Sequence, residues 1–417
     1  MVSVVDKSKD TGKKEFTIRP FYWFNLHVLI ANVALFSVLA LLGMIAFNLS
    51  FLNPISKALG DFNLSDLLYS KLGTRANLID TNIILVNIGH LNRSQIARQL
   101  EVIKEQDPKV VGFDGFFIQK RDPEMDSILR EALQKPPGVV MACFLAGRNE
   151  ESGIFDSLET SNQYFTGPAK AFVNLGGTDP LTSTVRTFSP SEIFHNDTLY
   201  ALGVELVRRY CPEAAEKLFS RDNTREIINY KSNRNGFIAY DVDALFDTIQ
   251  DFSVMKNKIV LMGYMGESFA SPTDMEDIYY TPMNPEIAGR SRPDMYGVVI
   301  HANIASMILS SDYINKMPLW LTILISFVIC YYFILLVSWV NARYNFFYKM
   351  HFNTFLFVFN ILAIYLIFIL YHYAHFSIHT GYLLAPVLLY PTFLNYFERI
   401  ILILHRRYGL CSIFIPN

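Results

Sequence analysis

Four stretches of this chain are each long and apolar enough to cross a bilayer, and they restrict any fold to membrane helices plus whatever lies between them. A spanning helix needs about 20 mostly apolar residues. The stretches cover residues 26–47 (LHVLIANVALFSVLALLGMIAF), 319–340 (LWLTILISFVICYYFILLVSWV), 352–373 (FNTFLFVFNILAIYLIFILYHY) and 382–404, the last interrupted by Pro386 and Pro391. Composition agrees: 51% of the 417 residues are hydrophobic and 18% charged, more apolar surface than a water-soluble chain of this size hides. The first stretch exceeds the length of a signal-peptide core and no small-x-small cleavage site closes it, so it is expected to remain as an anchor. Ionisable groups are nearly absent from all four, His27 and the adjacent Glu398 and Arg399 lying at their edges. Transporters place charge near the midplane, so transport is not expected.

Lysine and arginine set the orientation. Lys7, Lys9, Lys13, Lys14 and Arg19 precede the first stretch, Arg343 and Lys349 separate the second and third, and Arg406 and Arg407 follow the fourth. The loop between the third and fourth, YAHFSIHTG, has neither residue type. The pattern predicts a cytoplasmic segment over 1–25, a span over 26–48, an extracytoplasmic domain over 49–317, a three-helix bundle over 318–404 and a cytoplasmic tail over 405–417.

Between the first and second spans, strand and helix patterns alternate. NIILVNI (82–88) is a β-branched apolar run of buried-strand length. Asn92 or Ser94 caps a helix, QIARQLEVIKEQ, with Ile96, Leu100 and Ile103 on one face. KVVGFD, the helix PEMDSILREALQK with Met125, Ile128, Leu129 and Leu133 at helical spacing, and the strand GVVMACFLA follow. This βαβαβ order predicts a mixed, mainly parallel sheet covered by helices, an α/β fold. Further on, FVNL (172–175), TVRTF (184–188), INYK (228–231) and NKIVLMGYMG (257–266) are expected strands. A long helix is expected over about 198–219, broken only at Pro212, and a last helix, MYGVVIHANIASMILSSDYI, ends a few residues before the second span.

These segments resemble the CHASE type 2 family of bacterial extracellular sensor domains. IILVNI, a helix, KVVGFD, an acidic helix and GVVMACFL are similar to its opening. FVNLGGTDPLTSTVRTF, KNKIVLMGYMGESFASPTDMEDIYYTPM and MYGVVIHANIASMIL are similar to its later segments, in the same order, over roughly residues 53–312. The resemblance implies a sensor followed by three membrane helices in the bacterial cytoplasmic (inner) membrane. Family members usually continue into a cytoplasmic kinase or cyclase, whereas this sequence runs only to Asn417. The output is therefore expected to pass to a separate membrane or cytoplasmic effector, after binding of a small molecule or an envelope protein; a homo-oligomer is compatible with this. The alternative is a structural subunit of an envelope complex that reuses the fold as an interaction surface.

The candidate ligand-binding residues are Asp114, Asp179, Arg186 and Asp274. Asp114 ends a parallel strand, where open α/β sheets bind ligands. Asp179 and Arg186 flank a tight turn, with a structural ion pair as the competing explanation. Asp274 belongs to an acidic cluster with Glu276 and Asp277 that suits either a divalent cation or plain solvation. His301 is expected to be a hydrogen-bonded core histidine, and His372, His375 and His379 gather in the outer loop without metal spacing. No cofactor and no metal is expected. A net charge of −2 offers no footprint for nucleic acid. There is no P-loop, GxSxG elbow, HExxH, kinase set or dinucleotide fingerprint, so no enzyme chemistry is expected. Cys143, Cys211, Cys330 and Cys411 show no metal spacing, and a Cys143–Cys211 disulfide is left open.

Overall fold

The computed structural model describes residues 24–48, 79–148, 154–165, 169–175, 184–270, 276–284, 292–343 and 348–408, without the side chains of 44–48 and 337–353. Asp179, Asp274, Cys411 and the basic residues before position 20 lie outside these. The described residues form two compact units, one within Met1–Leu49, Pro318–Ile364 and His379–Asn417, the other within Ser50–Met317 and Tyr365–Ile378.

Helix α1 (Leu26–Asn48) belongs to the first unit. The second unit begins with β1 (Asp80–Asn87), α2 (Arg93–Glu105), β2 (Val110–Asp114), α3 (Pro123–Gln134) and β3 (Val139–Arg148). Asn92 closes a capping box with Gln95 at the start of α2, and Asp122 caps α3, satisfying amides that the first turn leaves unpaired. Next come β4 (Phe155–Thr160), β5 (Ala169–Phe172), β6 (Thr187–Phe188), β7 (Ser191–Phe194), β8 (Asp197–Tyr200), α4 (Leu202–Tyr210) and α5 (Pro212–Phe219). The unit continues with β9 (Glu226–Ile227), β10 (Phe237–Tyr240), β11 (Ile259–Gly263), β12 (Ile278–Tyr279), β13 (Met295–Tyr296), α6 (Gly297–Ser310) and β14 (Asn315–Lys316).

The main sheet runs β10-β1-β11-β2-β3, all parallel; β3 also pairs in parallel with β5 and antiparallel with β4. Period-two alternation sends Ile83, Leu85, Val110, Val140 and Leu261 into one core with α4 and α6. Ile84, Val86, Val111, Phe113, Met141 and Val260 enter a second core with Ile96, Leu100 and Ile103 of α2 and Leu129 and Leu133 of α3. A one-residue slip of any strand would exchange the two sets, so both cores fix the register. Helix α6 is buried at every residue from Gly297 to Ile308, which explains why its sequence is apolar on all sides.

Several expectations need correction. The helix expected from 198 starts at Leu202, because SEIFHNDTLY forms the β7–β8 hairpin with His195 at φ 53° in its two-residue loop. INYK is not a strand; its neighbour Glu226–Ile227 pairs with Thr187–Phe188 instead. The buried face of α3 is rotated, with Met125 and Ile128 exposed and Asp126 inside. Asp126 tolerates burial because it is ion-paired to Arg93 and accepts the Arg121 amide at 2.8 Å. The βαβαβ run is mainly parallel as expected, but β11 is inserted between β1 and β2. Cys143 and Cys211 are free thiols.

Beyond α6, residues 312–317 are tied rather than loose. Ser311 closes the helix at φ 53°, and Ile314 is buried. Strand β14 pairs in parallel with β15 (Phe376–Ser377), which lies between α8 (Tyr348–Ala374) and α9 (Thr380–Tyr408); α7 (Leu319–Arg343) precedes α8. The Asn315 amide donates to the His375 carbonyl (2.7 Å) and the Met317 amide to that of Ser377 (2.9 Å). Nδ1 of His375 lies 3.0 Å from the Asp312 carboxylate.

Helices α1, α7, α8 and α9 each contain a segment long and apolar enough to cross a membrane. They meet through Val28, Ala31, Leu35, Ile334, Leu356, Val387 and Tyr390. Asn32, fully buried, donates to the Phe327 carbonyl at 2.9 Å. Large apolar side chains such as Leu41, Leu324, Phe357 and Ile403 face outward, as lipid contact requires. Pro386 and Pro391 are accommodated inside α9.

Candidate functional site

The parallel strands all deliver their carboxyl ends to one side of the sheet, and a cavity of about 840 Å³ opens there. Ile88 follows β1, Asp114 ends β2, Leu145 to Arg148 end β3, Phe172 ends β5 and Tyr264 follows β11; all line it. Open α/β sheets bind ligands in this position because the loops diverge there.

The rim is held by a polar network rooted in Asn87, the buried last residue of β1. Its side-chain nitrogen donates to the Asp241 carboxylate and the Gly266 carbonyl, both at 3.0 Å. Its oxygen accepts from the amides of Gly89 (3.0 Å) and Met265 (2.9 Å). Asp241 accepts from Ser268 Oγ (2.7 Å) and the Phe269 amide (2.8 Å). Burial would raise the Asp241 carboxyl, but these hydrogen bonds outweigh it and hold the group below the usual carboxylate range. This network is structural and keeps the loops after β1, β10 and β11 in place.

The wall carries the chemistry. Asp114 pairs in register with Gly263 of β11, and a Cβ on Gly263 would sit 2.7 Å from the Val298 side chain and 3.2 Å from Asp114 Cβ. Glycine there lets α6 approach the strand ends. At the start of α6, a Cβ on Gly297 would sit 3.0 and 3.1 Å from the Asp277 carboxylate oxygens. Asp277 itself adopts φ 52° and accepts the Gly297 amide through its backbone carbonyl at 3.0 Å. The Tyr279 hydroxyl hydrogen-bonds its carboxylate. One turn along α6, four residues after Gly297, His301 also reaches the wall.

Burial acts on all three groups. Burial, then the charge of Asp277, pushes the Asp114 carboxyl well above its ordinary range. Burial likewise pushes Asp277 up to about 6, against the lowering effect of the Tyr279 hydroxyl, with Glu276 adding to the rise. Burial pushes His301 down to about 4, opposed by a hydrogen bond to the backbone of Val173, so the imidazole is neutral at physiological pH. Its Nδ1 has no partner, although the residue is only 1% exposed. Two carboxyls raised together and an unsatisfied buried nitrogen on one cavity wall mark a binding site more than a packing site.

Of the four candidate residues, Asp114 lines the cavity, Arg186 is not among its lining residues, and Asp179 and Asp274 lie outside the described residues. The Arg186 carbonyl instead accepts the Ile228 amide at 2.9 Å. Glu276 and Asp277, the rest of the acidic cluster, do line the cavity. His301 is the buried, hydrogen-bonded histidine expected, but it also opens onto the cavity, a position set by the crossing of α6 over the strand ends. Among the described residues no group of three His, Cys, Asp or Glu side chains is arranged to hold a metal.

The sequence matches the CHASE2 domain over residues 68–340. No curated protein and no solved structure matches the chain. The matched span covers the whole sheet, the cavity and α6, and CHASE2 domains are extracellular sensors carried by membrane proteins. The chain therefore belongs to the CHASE2 domain family, as a membrane protein with an extracytoplasmic sensor domain.

Proposed function

We propose that this protein is a membrane-anchored sensor that binds a ligand in the cavity at the strand ends and passes the change to a separate membrane or cytoplasmic protein. The observation supporting this is the wall of Asp114, Asp277 and His301, where two carboxyls and a buried imidazole nitrogen without a partner line one concave site. Both termini belong on the cytoplasmic side, by the distribution of lysine and arginine. Single cysteines at Asn149 and Thr380 are expected to react with an impermeant thiol reagent in intact spheroplasts, and one at Asn345 is not; labelling at Asn345 alone would reverse the orientation.

The alternative, a structural subunit of an envelope complex, draws on Phe116, Ile118 and Met125, exposed apolar side chains that share a second cleft. The two readings separate on Ser189→Trp. Ser189 lines the cavity from a half-buried loop position, so the indole fills ligand space without entering either core. Co-purification from native membranes, with mass spectrometry of the recovered proteins, is the measurement. A sensor loses or changes its partner's recovery while its own level stays normal. Unchanged recovery means the cavity is irrelevant and favours the structural subunit.

A further inference from the structure

The stretch of cavity wall formed by Asp114, Asp277 and His301 carries two carboxyls and a buried imidazole nitrogen without a partner. We infer that the cavity receives a small organic ammonium ion, its charged head on Asp114, Asp277 and His301 and its apolar body against the surrounding aromatic rings. This rests on the sensor reading above and assigns the chemistry of its ligand.

The tautomer of His301 follows from its neighbours. The Val173 amide already donates to the Cys143 carbonyl at 2.9 Å, so Val173 has only its carbonyl to offer, and the imidazole must donate to it. With Nδ1 unpartnered, that donor is Nε2–H. Nδ1 is then a bare lone pair, buried without a partner on a residue that lines the cavity together with Asp114 and Asp277. An ammonium head brings three donors and no acceptor, the complement of this set.

Competing chemistries fit less well. A carboxylate ligand would bring another negative charge against Asp114, whose charged form burial and Asp277 already disfavour. An alcohol brings one donor and no charge. The described lining carries the carboxyls of Asp114, Glu192, Glu276 and Asp277 against the guanidiniums of Arg148 and Arg225, an acidic excess. Phe144, Phe172, Phe188 and Tyr264 also line the cavity, and aromatic rings attract ammonium groups and their apolar substituents.

The test uses the full chain in detergent micelles at pH 7.5 and isothermal titration with three matched series: 2-phenylethylamine and shorter primary amines, the corresponding alcohols, and the corresponding carboxylates. The amines are expected to bind saturably and at least tenfold more tightly than the alcohols. Asp114→Asn and His301→Gln are each expected to weaken amine binding at least tenfold without changing that of the alcohols. Alcohols or carboxylates binding as tightly as amines, or an Asp114→Asn protein that binds amines like the wild type, would overturn the ligand class and leave the sensor reading intact. Silence from all three series overturns the ligand class alone if Ser189→Trp changes partner recovery in cells, and both readings if it does not.

Discussion

A Gly-Ser insertion after Asn315 is expected to abolish the downstream response while leaving the outer unit folded and its cavity competent. The insertion displaces Lys316 and Met317 by two residues from their partners on β15, removing the Met317–Ser377 hydrogen bond of 2.9 Å and the pairing of Lys316 with Ser377. Each such bond contributes about 0.5–1.5 kcal/mol net, too little to unfold a unit with two extensive cores. Contacts upstream survive: Ile314 stays buried, Arg221 Nη1 still donates to Asn315 Oδ1 at 3.0 Å, and His375 still faces Asp312. What is lost is stiffness just before α7, which begins at Leu319. A ligand shifts a two-state equilibrium only by its differential affinity, typically about 1–3 kcal/mol of coupling. Two flexible residues dissipate a shift of that size before it reaches the helix. Partner recovery in cells carrying the insertion is the measurement, and an unaltered response would place the protein in the structural class, where docking needs no lever.

Much of this architecture is legible in the sequence, for identifiable reasons. Strands β1, β2, β3 and β11 are buried on both faces, so they appear as continuous apolar runs, NIILVNI, KVVGFD, GVVMACFLA and KIVLMG. Strand β10, FIAY, is only four residues long and lies at the sheet edge, where no run of that length stands out. Strand β4, FDSLET, is mostly half-buried or exposed and lacks an apolar run. The β7–β8 hairpin was hidden by an apolar spacing compatible with a helix, and its turn uses His195-Asn196 instead of a glycine. At the site, Asp114 was recognisable because it closes a strand. Asp277 and His301 were visible only as an acidic loop and a core histidine, since their meeting depends on how α6 crosses sheet ends contributed by residues far away in the chain. Two local signals pointed that way: Gly297 four residues before His301, whose missing Cβ makes room for the Asp277 carboxylate, and Gly263 at the end of an otherwise bulky strand.

Asp114→Asn is expected to make the empty protein more stable at neutral pH, by roughly 0.5–2 kcal/mol, the size common for single stabilising substitutions. The carboxyl is held at the cavity wall beside Asp277, and both factors raise it. A carboxyl raised on folding stabilises fully below its unfolded value, near 3.8, and that contribution is lost as pH climbs toward the folded value. Asparagine does not titrate, so its advantage is small at pH 4.5 and grows toward pH 7.5. His301 acts in the opposite sense: pushed down to about 4, it costs stability as pH falls from its ordinary 6.5. Asp277 and Asp294, both pushed up to about 6 by burial, titrate in the window of Asp114. All three are present in wild type and variant, so the difference between the two reports Asp114 together with its electrostatic interaction with Asp277. Were Asp114 a structural cap, its loss would instead cost about 0.5–2 kcal/mol, as cap deletions do.

The account's central claim is that the wall of Asp114, Asp277 and His301 is kept for a ligand at the expense of the empty fold. Thermal melting of wild type and Asp114→Asn, full chain in micelles without ligand at pH 4.5 and 7.5, tests it without knowing the ligand. The account predicts a higher melting temperature for the variant at pH 7.5 and a smaller difference at pH 4.5. A variant that melts below the wild type at pH 7.5 would show that the carboxylate supports the fold, and would contradict the claim.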